Sequence, residues 1–371
     1  MTRPWPSLIR PSPRKRGNWE YDRVARVSRV ALGYGGLVPT TIGAAVIGSG
    51  LYGRVHARAY SQAPGCQLRW VWSRDLAHAD AIAAQYGARP TNDWGQIAAD
   101  PSVDVVSIAT PDFAHTEPAL AMLKAGKHVL CEKPMALTTD ECRQMIAAAE
   151  RSGVQLMVNF HNRWYPALAE AWRRVHQPGD GLSLGAPLMA YLRLSDRIEV
   201  ATRWLPWAGQ SGPVWFLMPH IADLANWMLG QTPKRVFASG RKGVLAGLGI
   251  DCYDVVQAQV VYDGSFATLE SSWILPECWP NINEFSLDLH CEHGKLAVTG
   301  DQENLVVAGQ RYEHPFTLLW LTEDVPIQAF VRCLQAGKPA PVSGNDGLRA
   351  TAVLQALDRS LASGQVEGVE L

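Results

Sequence analysis

No two cysteines in this chain stand in C-x-x-C spacing, and their total of seven is odd. That leaves no disulfide framework and no zinc or thioredoxin-type signature. Cys131, Cys252 and Cys291 fall inside apolar runs, as reduced thiols of a cytoplasmic protein do. No run approaches the roughly 18 apolar residues of a membrane span. Formal net charge is only −1, so neither nucleic acid nor an anionic membrane is expected as a partner. Internal repeats are lacking, and no low-complexity tract occurs beyond the first forty residues.

The chain is rich in apolar residues, at 47% of 371 positions. That supports a sizeable core, and the length suggests two domains. The small net charge hides an uneven distribution. Residues 1–40 hold eight arginines and lysines against Glu20 and Asp22, a net of +6, which leaves −7 for the rest. This leader has no apolar stretch after "RKR", so a secretory or twin-arginine signal is not expected. It reads as a disordered extension or a mis-set start.

From Ile42 onward, short apolar runs alternate with amphipathic stretches. "GAAVIGSG", "QLRWVWS", "VDVVSIAT", "KHVLCEKP" and "VQLMVNFH" read as strands. "LYGRVHARAYSQA", "LAHADAIAAQYG", "WGQIAAD", "TEPALAMLKAG" and "TDECRQMIAAAERSG" read as helices. Near-continuous apolar strands separated by helices predict a doubly wound parallel sheet over residues 41–162. After about residue 162 strands follow one another, from "APLMAYLRLS" to "NLVVAG", several alternating apolar with polar. Turn signals stand at Asp263-Gly264 and Gly294. One helix, "PHIADLANWMLG", interrupts early, and two more close the chain. Residues 163–371 therefore read as an α+β domain with a large, mostly antiparallel open sheet.

Gly48, Gly50 and Gly53 fall in G-x-G-x-x-G spacing, between an apolar strand and a helix. Alone the pattern is weak, but this context is the one it requires. It predicts a dinucleotide site at Gly48, Ser49, Gly50, Leu51, Tyr52 and Gly53, with phosphates at the helix N-terminus. The second strand ends in Ser73-Arg74, where an acidic residue would bind the adenine ribose of NAD. Serine and arginine suit a 2′-phosphate. NADP is the preferred cofactor, with NAD the other reading. Asp75 reads as the start of the next helix.

Three segments, "AAVIGSGLYGRVHARAY", "VVSIATPDFAHTEPALAMLKAGKHVLCEKPMALT" and the tail from "PAPVSGNDGLRATAV", together resemble the glucose–fructose oxidoreductase / inositol dehydrogenase / MocA (Gfo/Idh/MocA) family. The resemblance covers about residues 42–371. It implies a Rossmann domain followed by a domain whose open sheet carries the substrate site and oligomer contacts. By this match Lys133 of the Glu-Lys-Pro triplet meets the substrate carbinol beside the nicotinamide, and the Lys133-Pro134 bond is cis. Thr110, Pro111 and Glu132 become cofactor contacts, and Asn162 lies at the cofactor–substrate cleft. His220 matches a catalytic histidine and Asp223 a substrate-binding aspartate. Many family members carry an aspartate four residues before the histidine, whereas here Phe216 stands there, so His220 works alone or with another partner.

Arg163 is read as lining the same cleft, with bracing of the domain interface as the other reading. Trp204, Trp207 and Trp215 precede His220, and aromatic faces pack on the C–H faces of sugars; core packing is the competing reading. His290 and His293 of "HCEH" would point to opposite faces of a strand, which speaks against a shared metal. These residues suggest an NAD(P)-dependent oxidoreductase acting on a sugar, polyol or related cyclic compound, with Lys133 and His220 handling the hydroxyl proton. Two alternatives are an enzyme using transient oxidation for elimination or glycosidic cleavage, and a non-catalytic nucleotide-binding regulator. A homo-oligomer, dimer or tetramer, through the C-terminal sheet is expected, without a metal.

Overall fold

The computed structural model describes residues 41–177, 183–300, 304–309, 312–313 and 323–371. The basic extension expected at residues 1–40 lies outside them. The first half alternates strand and helix: β1 (Ile42–Ile47), α1 (Leu51–Gln62), β2 (Cys66–Trp72), α2 (Leu76–Tyr86), β3 (Arg89–Thr91), α3 (Trp94–Ala99), β4 (Val105–Ile108), α4 (Thr116–Lys124), β5 (His128–Cys131), α5 (Thr139–Ser152) and β6 (Leu156–Val158). The strands form a six-stranded sheet in the order β3-β2-β1-β4-β5-β6, with parallel pairing throughout.

Local chemistry sets the boundaries. β1 and β4 are buried at every position, as central strands covered on both faces must be. Asp75 caps α2 by accepting from the Ala77 N–H, and Gly87 ends it in the left-handed region. Thr138 and Glu141 form a capping box on α5, which satisfies two otherwise free backbone donors.

The second half contains α6 (Pro166–His176), β7 (Pro187–Arg197), α7 (Ala208–Phe216), α8 (Met218–Leu229), β8 (Pro233–Arg241), α9 (Val244–Gly247), β9 (Val255–Tyr262), β10 (Phe266–Leu275), β11 (Asn283–Cys291), β12 (Gly294–Thr299), β13 (Asn304–Ala308), β14 (Tyr312–Glu313), α10 (Asp324–Gln335), α11 (Gly344–Ser363) and β15 (Glu367–Gly368). Nine strands form one sheet, ordered β14-β13-β12-β11-β7-β10-β9-β8-β15. Its pairs are antiparallel except β7 with β10. The Asp263-Gly264 turn joins β9 to β10 and Gly294 opens β12, as expected.

Three points depart from the sequence reading. α6 is not among the helices expected from the sequence, although Pro166 stands at its first turn, a favoured place for proline. β3 is only three residues long, too short to show alternation. The third concerns the domain boundary. Ile327, Phe330 and Val331 of α10, with Val342 and Ala350, belong to the core of the parallel sheet, so the chain returns to its first domain after building the second. The second core lies between the nine-stranded sheet and α8 and α11, centred on residues such as Leu192, Met218 and Trp273. No helix among the described residues is long and apolar enough to cross a membrane, and all seven cysteines are unpaired.

Candidate active site at the ends of the parallel strands

The glycine-rich turn links β1 to α1. Gly48 has φ 133°, and a Cβ there would stand 2.2 Å from the Ala109 carbonyl oxygen. A Cβ on Gly53 would stand 2.2 Å from the Gly48 carbonyl oxygen. These two glycines let the turn close on β4 and α1 close on the turn. Gly50 is different, since a Cβ there meets nothing within 4 Å. The space over Gly50 is open, and no side chain caps the N-terminus of α1. Free N–H groups facing an open cradle are what a pyrophosphate needs, so the turn fits a dinucleotide. Leu51 is exposed and Tyr52 lies one residue further into the cleft, its hydroxyl pKa raised by burial first and then by the charges of Glu323, Glu132 and Asp196.

Ser73 follows β2, buried, and its hydroxyl lies 2.8 Å from that of Ser49. Arg74 is exposed. The nearest carboxylate in sequence, Asp75, is committed to capping α2. Among the described residues no acid therefore closes the tip of β2. Thr110 and Pro111 follow β4. The Thr110 hydroxyl donates to the Ala114 carbonyl, and Pro111 leads into a short 3₁₀ turn, Asp112–Ala114. His115 joins this turn to the next strand end: its Nδ1 lies 2.7 Å from the Pro134 carbonyl oxygen and its Nε2 3.0 Å from that of Thr110.

Beyond β5, Glu132 and Lys133 are 4% and 6% exposed. Glu132 is held by His56 Nε2 and by Asn159 Nδ2, each at 2.7 Å. His56 Nδ1 in turn meets the Ser107 hydroxyl at 2.7 Å, and Ser107 meets Tyr60. Burial alone would raise the Glu132 carboxyl, but the His56 and Asn159 hydrogen bonds and the His56 charge bring it down to about 2. Lys133 donates from Nζ to the Phe216 carbonyl at 2.7 Å and lies 4.1 Å over the Phe216 ring. Burial pushes its pKa down, against the opposing pull of Glu132, Asp112 and Asp196. The bond between Lys133 and Pro134 is cis, as the resemblance implied.

Phe216 thus offers Lys133 a carbonyl and a ring, and His220 no carboxylate. His220 is 7% exposed, and its Nδ1 is buried without a hydrogen-bond partner. Its ring meets that of His161 edge-on at 4.9 Å. Burial, then the Lys133 charge, then His161 hold the His220 pKa well below the usual histidine range. His161 is likewise lowered, to about 4, by burial first and by Lys133 and His56 against Glu132. Asn162 is buried on the same short turn, His161–Trp164.

Arg163 and Asp223 are joined to each other. The guanidinium donates twice to Asp223, at 2.8 and 2.5 Å, and once to Asp346 at 3.1 Å. Burial opposes the Arg163 charge, but the two carboxylates outweigh it and raise the pKa. The short turn His161–Trp164, α8 and α11 thus meet at one guanidinium. Trp204 is half exposed. Trp207 leads into α7, whose Ser211 hydrogen-bonds Asp112 across the two domains. Trp215 is spent on the Asp358 carboxylate, 2.7 Å from its indole nitrogen. His293 lies in the turn after β11, and no group of three metal-capable side chains occurs among the described residues.

Glu132 and Lys133 thus follow the carboxyl end of β5 and Asn162 that of β6, and His220 of α8 reaches them through its ring contact with His161. Sequence reasoning missed His56, His115 and His161. His56 had one faint signal, a histidine one helical turn past Gly53.

Comparison with known proteins agrees in both halves. Residues 42–160 match an "oxidoreductase family, NAD-binding Rossmann fold" model, and residues 172–297 match the "GFO/IDH/MocA C-terminal domain". The chain is 27% identical over 335 residues to inositol 2-dehydrogenase of Rhizobium meliloti, covering 87% of this chain and 97% of that one. It is 25% identical over 339 residues to D-apiose dehydrogenase of Paraburkholderia graminis, covering 86% and 88%. A levoglucosan dehydrogenase of Pseudarthrobacter phenanthrenivorans is 31% identical over 201 residues, half of each chain. In fold, a levoglucosan dehydrogenase solved with NADH and levoglucosan superposes with a TM-score of 0.79 at 23% identity, over 89% of this chain and all of that one. With its Rossmann half and its C-terminal half both matching models of one family, the chain belongs to the Gfo/Idh/MocA oxidoreductases.

Proposed function

We propose that this protein is a dinucleotide-dependent dehydrogenase or reductase acting on a CH–OH group of a sugar, polyol or related cyclic compound. The observation that carries the reading is Lys133: a buried cation with a depressed pKa at the end of a parallel strand, below a glycine turn open to a pyrophosphate. Ligands of such sheets bind outside the carboxyl ends of the strands. The relatives named for inositol, apiose and levoglucosan support a polyhydroxylated substrate. A nicotinamide bound there supplies the hydride acceptor or donor. Lys133 moves a proton to or from the substrate oxygen at Nζ, Glu132 holds the local field, and neutral His220 offers a ring nitrogen to a hydroxyl. A panel of sugars and polyols with each cofactor, followed at the nicotinamide absorbance, tests the reading; no turnover with any of them counts against it.

NADP is the preferred cofactor in this reading, because Arg74 is free to form two parallel bonds to a 2′-phosphate and no acid is available for the ribose. Trp204, Trp207 and, from Arg163 and Asp223, the wall they brace are assigned to the substrate side. Self-association is assigned to the open face of the nine-stranded sheet, where Phe237 and Phe266 stay exposed, and sedimentation checks it.

A further inference from the structure

A cavity of about 230 Å³ is lined by the Arg163–Asp223 pair but by no residue of the Lys133 cluster. Three helices wall it: α6 with Trp172 and His176, α8 with Asn226 and Trp227, and α11 with Asp346 and Arg349. These walls are tied together. Trp172 lies flat against Trp227, ring centroids 5.4 Å apart at 5°. His176 Nε2 donates to the Met228 carbonyl at 2.9 Å, and Arg163 joins α8 to α11 through Asp223 and Asp346. A site already held in shape costs little ordering to fill. Its polar groups divide unevenly. All four carboxylate oxygens are engaged, both of Asp223 by Arg163, one of Asp346 by Arg163 and the other by Ser343. The donors are not. Asn226 is 9% exposed; its Oδ1 accepts from the Tyr262 hydroxyl at 2.9 Å, while its Nδ2 is buried without a partner, a costly state for a donor. Arg163 spends Nε and Nη2 on the carboxylates, and no described residue accepts from its Nη1. Arg349 is exposed, and no described residue hydrogen-bonds or ion-pairs with it.

We propose that this cavity binds a small oxyanion, a carboxylate or a phosphate, at a site separate from the dinucleotide–substrate cleft. The inference goes beyond the dehydrogenase reading and does not need it. The groups left over are N–H donors from three separate elements, and an ionised oxyanion is an acceptor only. Arg349 supplies the unpaired charge. Bonds from a guanidinium to a charged oxygen are shorter and stronger than neutral ones, and its fork matches a planar carboxylate or a phosphate. Arg163 and Arg349 balance Asp223 and Asp346, so the ligand meets no net negative charge. A water takes up roughly 30 Å³, so the cavity accepts a phosphate or a short dicarboxylate in place of several waters. A neutral sugar fits less well. Its hydroxyls bring donors as well as acceptors, and the carboxylate oxygens that would receive them already have partners. The Trp227 ring on which it would stack has Trp172 and the Arg163 guanidinium against it.

The test is calorimetric titration of the full chain, saturated with dinucleotide so that the glycine turn is already filled. Inorganic phosphate and succinate are the probes, and neutral succinamide is the control. One anion site is expected in wild type, weakening as salt rises, with no matching heat from succinamide. Arg349→Gln should weaken the anion roughly tenfold or more, and Asn226→Ala should weaken it as well. Dinucleotide affinity should be unchanged in both variants. Binding of phosphate alone points to a phosphate ester as the natural ligand and binding of succinate alone to an organic acid; either supports the site. No binding of either anion at millimolar concentration overturns the proposal. So does an Arg349→Gln protein with wild-type anion affinity, or succinamide bound as tightly as succinate. Arg349 is exposed, so its variant decides the matter even if Asn226→Ala fails to fold. No turnover is read, so a wild type inactive on every sugar and polyol would sink the dehydrogenase reading and leave the oxyanion site to be judged separately.

Discussion

Lys133 and Arg74 are both cations at the carboxyl ends of parallel strands, yet Lys133 is 6% exposed and Arg74 stands in solvent. Around Lys133 the ionisable groups are bound into the protein: Glu132 by His56 and Asn159, Lys133 by Phe216. Around Arg74 there is a serine pair and a helix cap. Desolvation is what separates them. It moves proton affinities far enough to be useful in acid–base chemistry. An exposed guanidinium can only add a modest, salt-screened preference for one cofactor. Chemistry and cofactor choice are therefore assigned to opposite ends of one cleft, and each variant below is a way to break that division or sharpen it.

The largest effect is expected from Lys133→Ala, which should lower turnover roughly 10²–10⁴-fold while dinucleotide affinity, read by tryptophan fluorescence, stays close to wild type. Arg163→Ala comes next and should act on stability. It leaves Asp223, 2% exposed at its side chain, without its cation, at a cost of about 3–5 kcal/mol. Urea denaturation should show a lower midpoint with an unchanged slope. If Arg163→Ala instead spares stability and abolishes only substrate binding, Arg163 belongs to the substrate and not to the brace.

Acid sensitivity should follow the buried histidines. His161 is lowered to about 4, and an unfolded histidine titrates near 6.5. The unfolded chain therefore binds the proton first as pH falls, so this contribution is present above about pH 6.5 and is lost on the way down to about pH 4. Each such histidine gives a slope of up to about 1.4 kcal/mol per pH unit. Denaturation of His161→Gln across this window should show a shallower dependence than wild type.

The smallest effect is at the adenine end. Arg74→Ala should weaken NADP by about tenfold, about 1.5 kcal/mol at the low end for charge-assisted bonds, and leave NAD almost unchanged. Ser73→Asp should favour NAD. Equal weakening of both cofactors in Arg74→Ala would reduce Arg74 to a solvated or adenine-stacked side chain.

The parallel half was legible because its signals are local. Continuous apolar strands, Asp75, Gly87 and the Thr138–Glu141 box are read within a few residues of where they act. The glycine turn and the Glu-Lys-Pro segment were legible for the same reason. What escaped depends on distance along the chain. His56 meets Ser107 across 51 residues and Glu132 across 76. Arg163 meets Asp223 across 60 and Asp346 across 183, so these partners were out of reach of its local sequence. The return of α10 to the first core is equally non-local. α6 is the exception, since Pro166 and the apolar spacing after it were available in the sequence.

The division of labour is tested most directly by a double-mutant cycle on Lys133→Ala and Arg74→Ala, with kcat/KM measured for NADP and NAD in all four proteins. Groups that act independently change free energies additively within about 0.3–0.5 kcal/mol. The account predicts that Lys133→Ala costs the same with either cofactor, that Arg74→Ala costs only with NADP, and that the double variant shows the sum. A coupling well beyond about 0.5 kcal/mol, or a Lys133→Ala enzyme that keeps near-normal turnover, would contradict it.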